Sequence, residues 1–122
     1  MDVTASQIRS YRLRVHHLDK KAPMDEMINA AGVCGLQNSP PGAWETALFN
    51  RLDGCTTNVL NDALHKEKTL LQAWSYRGVP VVFPTEESDL FLSPLIAQEG
   101  EQPWIYTQGI TAALDHLQMS LV

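Results

Sequence analysis

The sequence predicts a mainly helical α+β domain with one β-hairpin, and three observations carry that reading. From Thr4 to Lys66, apolar residues recur at helical spacing in runs separated by Pro or Gly breaks. Beyond that point the period changes to two β-rich runs, "LLQAW" and "VPVVFP", divided around Arg77-Gly78. The chain also has 122 residues, 44% of them apolar and 19% charged. A domain of that size buries roughly two-thirds of its unfolded surface, enough for a core without staples.

The elements follow in order. Thr4-Ala5-Ser6-Gln7 has the capping-box pattern, and Ile8, Tyr11, Val15 and Leu18 then form one apolar stripe. Arg9, Arg12 and His16 line its flank, either as a solvated basic edge or as an edge facing phosphates. Pro23 suits the first turn of a second helix over Met24–Ala31, whose Asp25 and Glu26 meet the positive end of the dipole. A third helix spans Gly42 to Leu52 with Trp44, Ala47, Leu48 and Leu52 on its buried face. Thr56 or Thr57 caps a fourth, with Val59, Leu60, Ala63 and Leu64 inward and Lys66 and Lys68 near its end.

Pro80 cannot donate to a ladder, which predicts an edge strand for the second arm of the hairpin. Trp44 and Trp74 read as core aromatics. Thr85-Glu86-Glu87-Ser88 caps a short helix ending near Pro94, "AQEGEQP" is a linker, and Thr107 opens a terminal helix striped by Ile110, Ala113, Leu114, Leu117 and Leu121. Helices followed by a hairpin are the ingredients of a winged helix. The expected organisation is a winged-helix-like domain over residues 1–95, then a linker and C-terminal helix over 96–122, which also fits the start of a second such module.

Charge narrows the partners. The net charge is −5, yet residues 1–21 hold Arg9, Arg12, Arg14, Lys20 and Lys21 against Asp2 and Asp19. From Pro84 to Val122 there is no lysine or arginine. Phosphate neutralisation supplies most non-specific DNA affinity, so DNA contact is expected through the basic N-terminal helix, with help from a partner or further modules. The acidic terminal helix could instead hold a protein partner. No run of about 18 apolar residues exists and the N-terminus lacks an apolar signal centre, which predicts a cytoplasmic protein with no membrane span. Cys34 and Cys55 read as small buried or half-buried thiols. They and the four histidines do not stand at metal-ligand spacings, so neither metal nor cofactor is expected.

The stretch "CGLQNSPPGAW" concentrates the polar chemistry: Gln37 and Asn38 enter a prolyl-stiffened corner before the third helix, with Ser39 beside them. Carboxamides there either tie down the corner's backbone or face a substrate. No paired nucleophile and base suggests a hydrolase of another kind.

"GLQNSPPGAWETALFNRLDG", followed by "EKTLLQAWSYRGVPVVFP" and a capped helix, resembles the N-terminal region of the YcaQ/AlkZ-like family of winged-helix DNA-binding proteins and DNA glycosylases. The likeness covers about residues 5 to 95. It implies a module that works with further winged helices around double-stranded DNA, in proteins that excise N-alkylated purines or unhook crosslinks. Gln37 matches the first glutamine of the family's corner, while Ser39 stands where a second amide or acid is usual. Arg77 and Gly78 are kept in the hairpin, but Val79 and Val81 replace the usual Thr and His. The resemblance therefore implies Gln37 and Ser39 as catalytic candidates in a monofunctional glycosylase, one expected to be inactive as this chain alone, with Asn38, Arg9, Arg12 and Arg77 toward DNA. The alternative is a winged-helix module without chemistry that binds DNA or a protein.

Overall fold

A computed structural model describes residues 2–32, 34–75, 78–93, 100 and 116. Its helices are α1 (Ala5–Val15), α2 (Met27–Gly32), α3 (Ala43–Arg51), α4 (Thr57–Asn61) and α5 (Ser88–Leu92). Its strands are β1 (Leu36–Gln37), β2 (Leu70–Trp74) and β3 (Pro80–Pro84). From α2 onward the order is helix, strand, helix, helix, hairpin, an α+β arrangement compatible with a winged-helix-like fold. Arg77 and the terminal helix expected from Thr107 lie outside the described residues, except that His116 is helical.

The hairpin forms as expected, but its second arm is not an edge. The antiparallel sheet runs β1-β3-β2, so β3 is central, with Val82 opposite Leu36 on one side and Gln72 on the other. Pro80 is tolerated because it is the first residue of the strand, and its carbonyl accepts the Asn38 N–H at 2.8 Å. The extra strand, β1, is two residues long and gives no alternation to read.

Both faces of the sheet are covered. On one, Leu36, Leu70 and Val82 pack with Ala30 and Ala31 of α2, Trp44 and Leu48 of α3, and Leu60 of α4. On the other, Val81 and Phe83 pack against Phe91 of α5, the two phenylalanine rings stacked at 4.6 Å. Buried Ser75 ties the same helix down, its hydroxyl donating to the Phe91 carbonyl at 2.7 Å. Gly35 sits at the join. Its φ is +65°, and a Cβ there would lie 2.5 Å from Val81 Cγ1 and 2.8 Å from Phe91 Cε1. Only glycine fits that backbone and that gap.

Several expectations change in detail. The second helix begins as a 3-10 turn, Met24–Glu26, before α2. Val59 is exposed, whereas Leu60 and Ala63 are buried. Trp74, at the end of β2, is 55% exposed and is not a core residue. Cys34 is exposed and Cys55 half-buried; burial pushes the Cys55 thiol up, with Lys21 opposing. Thr85 does not cap its helix, because its hydroxyl donates to the Lys68 carbonyl.

Helix α1 has the full capping box at Thr4 and Gln7. It ends at His17, in the left-handed region at φ 54°, with Leu18 N–H to the Leu13 carbonyl (2.8 Å) and His17 N–H to Arg14 (3.0 Å). That is a Schellman ending with histidine in the usual glycine position. None of its residues is buried, and Ile8, Tyr11, Val15 and the following Leu18 stay exposed. Arg51 of α3 joins it to the body, donating to the His16 carbonyl at 3.0 Å and to Ala47 at 2.8 Å. Partial burial lowers the pKa of that guanidinium.

Gly35→Ala should lower the unfolding free energy by about 1–3 kcal/mol from overpacking alone, before the cost of the backbone is added. Tyr11→Ser should stay within about 0.5 kcal/mol of the parent. Urea unfolding followed by circular dichroism measures both.

Candidate functional site

The corner between β1 and α3 is held by side chains. Asn38 is its fastener: its Oδ1 accepts the Gly42 N–H at 2.8 Å, and its Nδ2 donates to Gln72 Oε1 on β2 at 2.7 Å. Gly42, at φ 90°, is the cap residue of α3 and brings no side chain of its own to the cap. The carboxamide four residues upstream satisfies one of the helix's first N–H groups instead. Asn38 thus ties down the backbone of the corner.

Gln37 is placed differently. It is exposed, next to Leu36, which is buried on the side of the helical core, and it leaves β1 on the other side. Its Nε2 donates to the Ser39 carbonyl at 3.2 Å, which keeps the amide along the corner with no other bond among the described residues. Ser39 is exposed and is followed by a cis bond to Pro40. Gln37 and Ser39 are thus together, Asn38 points the opposite way, and Arg9 and Arg12 are exposed on α1. Arg77 lies outside the described residues.

A cleft that sequence reasoning did not anticipate opens on the Asn38 side. Its volume is about 590 Å³, and its polar walls are Asn38, Glu45, Asn61, His65, Lys68 and Gln72. The far wall exists because the expected fourth helix changes pitch: Asp62–Lys66 is a π turn, closed by Glu67 N–H to the Asp62 carbonyl at 2.8 Å. Such a turn holds one more residue than an α turn and re-aims the chain beyond it. Lys68, in the left-handed region at φ 55°, completes the change of direction and is anchored through its carbonyl by Thr85. On the near wall, the Oε2 of Glu45 is screened from solvent and accepts no hydrogen bond among the described residues. No single residue type in the sequence announces this cleft. Its members come from four separate segments.

Val79 and Val81, the two hydrocarbon replacements in the hairpin, have a packing reason. Val81 is buried against Phe83 and Phe91, and Val79 packs on the same cluster. Among the described residues no group of His, Cys, Asp and Glu is arranged to hold a metal ion. No helix of the described residues is long and apolar enough to cross a membrane.

The fold and the polar corner define a small α+β module, compatible with a winged-helix-like fold, with amide side chains at the entry to α3. The model of one protein family, DNA glycosylase AlkZ-like, matches residues 30–118, and the chain belongs to that family. The match begins after α1 and runs past residue 95. No curated protein matches the chain, and no solved structure does.

Asn38→Ala would strip the Gly42 N–H and Gln72 of their partner. The expected loss is about 1–3 kcal/mol in chemical denaturation, whereas Gln37→Ala, at an exposed position, should cost under about 0.5 kcal/mol.

Proposed function

We propose that this chain is the N-terminal module of a monofunctional DNA glycosylase that removes N-alkylated purines, crosslinked ones included, from double-stranded DNA in the cytoplasm. Residues 1–95 form its winged-helix domain, and 96–122 lead into a further module. The observation that carries the reading is the exposed Gln37 carboxamide, pinned through Nε2 on the Ser39 carbonyl.

An N7-alkylated purine is a cation and leaves readily, so little acid assistance is needed. The protein must hold a water against the anomeric carbon and stabilise the developing sugar cation. With Nε2 engaged, Gln37 Oε1 is oriented to accept from that water, and the Ser39 hydroxyl gives a second contact. Water must attack from the side opposite the departing base. Gln37 and Ser39, together at the corner, would hold that water on one side of the sugar.

Phosphate contacts fall to Arg9 and Arg12 of α1 and to Arg77 of the hairpin, with Asn38 nearest the base. The acidic remainder of the chain leaves the rest of the duplex to further winged-helix modules. The second reading, a winged helix that binds DNA or a protein without chemistry, is favoured by one observation: Val79 and Val81 have given polar positions over to packing.

Duplex DNA carrying N7-methylguanine should release free base when incubated with a full-length protein that carries the further modules, and little or none with residues 1–122 alone. Gln37→Ala should slow single-turnover release by about 100-fold with little change in DNA affinity. Release unchanged in that variant would remove Gln37 from the mechanism. Replacing Arg9 and Arg12 by Gln should flatten the plot of log affinity against log salt, by about 0.9 for each phosphate no longer neutralised. An unchanged slope would take α1 off the DNA.

A further inference from the structure

On the helical side of the sheet the apolar core stops short of the hairpin tip, and a tryptophan stands in the uncovered row. Side chains alternate along a strand, so Gln72 and Trp74 share the face of Leu70, which is sealed under the helices. Trp74 is nevertheless 55% exposed, whereas Trp44 in the core is 2% exposed. Its partner across β3 is Pro80, whose carbonyl takes the Asn38 N–H at 2.8 Å, so Asn38, Pro80 and Trp74 form one row over three strands. The turn closes directly beyond, with the Gly78 N–H on the Ser75 carbonyl at 2.7 Å, which sets the indole at the outer end of the hairpin. Beside it the Asn38 Nδ2 reaches Gln72 Oε1 at 2.7 Å. The Asn38 oxygen is held by the Gly42 N–H, so both amides are oriented and Gln72 Nε2 keeps hydrogens that have no partner among the described residues.

We infer that Trp74 stacks on one unpaired base of DNA, with Gln72 beside it as a donor to that base. The inference rests on the DNA reading above, not on its catalytic step, and adds a contact which that reading lacks. The surroundings of the indole favour this occupant. An interface hot spot between proteins sits in a packed, desolvated pocket. Here the indole is flanked by a proline ring and two carboxamides. A base has a π face for the indole and acceptors on its edge for an amide nitrogen, and such stacking tolerates any sequence. The base must be unpaired, because inside a duplex its faces and its pairing edge are already engaged. Charge points the same way. At a net charge of −5 the protein gains little from neutralising phosphates overall, and stacking adds affinity without releasing counterions.

The test measures binding by fluorescence anisotropy of two labelled duplexes, identical except that one carries a single unpaired thymine. The proteins are the full-length protein with its further modules, Trp74→Ala and Trp74→Phe. Trp74→Ala should bind the bulged duplex about tenfold more weakly and the paired duplex within about twofold, and Trp74→Phe should restore most of the loss. The plot of log affinity against log salt should keep its slope in both variants, unlike that of the Arg9 and Arg12 replacement. Equal losses on the two duplexes, no loss on either, a loss that phenylalanine does not restore, or a shallower slope would each overturn the assignment. Base release from N7-methylguanine duplex is followed in parallel. If the parent releases no base while Trp74→Ala still discriminates the two duplexes, the stacking contact stands and the glycosylase reading falls. If base is released and Trp74→Ala binds both duplexes like the parent, the glycosylase reading stands and the contact falls. A parent that binds neither duplex would overturn both.

Discussion

The protein depends on β3 being enclosed by hydrocarbon on both sides. Val82 faces the helices and Val81 and Phe83 face α5, so neither face of the strand meets water. That enclosure fixes the strand's position between two neighbours, one of which, β1, is too short to hold itself. The carbonyl of Pro80 and the register of Val81 and Val82 then decide where Gln37 and Asn38 leave the backbone. The polar corner is accurate because an apolar strand beneath it cannot shift.

The second core explains how the hairpin departs from the family pattern. A threonine or histidine at Val79 or Val81 would need a partner or water where Phe91 now lies. Helix α5 and the hairpin have exchanged polar capacity for contact area, and buried Ser75 keeps its hydroxyl only by bonding the Phe91 carbonyl.

Helices α1, α3 and the hairpin were legible in the sequence, because caps, apolar period and the Arg77-Gly78 break are local signals. The central place of β3 was not legible. Pro80 forbids an N–H donor at one residue only, and the sequence does not show that this residue is the first of its strand. The amide corner was found from its composition, but its two carboxamides could not be told apart, since their divergence depends on β1, a strand two residues long. The cleft was invisible for a related reason. Its π turn arises from where Asp62 and Glu67 meet, and its walls come together only in three dimensions. The exposure of α1's stripe contradicts the ordinary expectation for apolar residues at helical spacing, and so does that of Trp74. Periodicity reports that a face could be buried, not that something covers it.

The hook between Arg51 and α1 makes the leading helix unusually free to vary. The guanidinium grips the carbonyl of His16, a group every amino acid possesses, and asks nothing of any side chain on the helix. Substitutions along α1 can therefore accumulate without loosening its tether to the body. The helix becomes a variable appendage on a fixed frame, able to change its exposed side chains while the fold behind it stays the same.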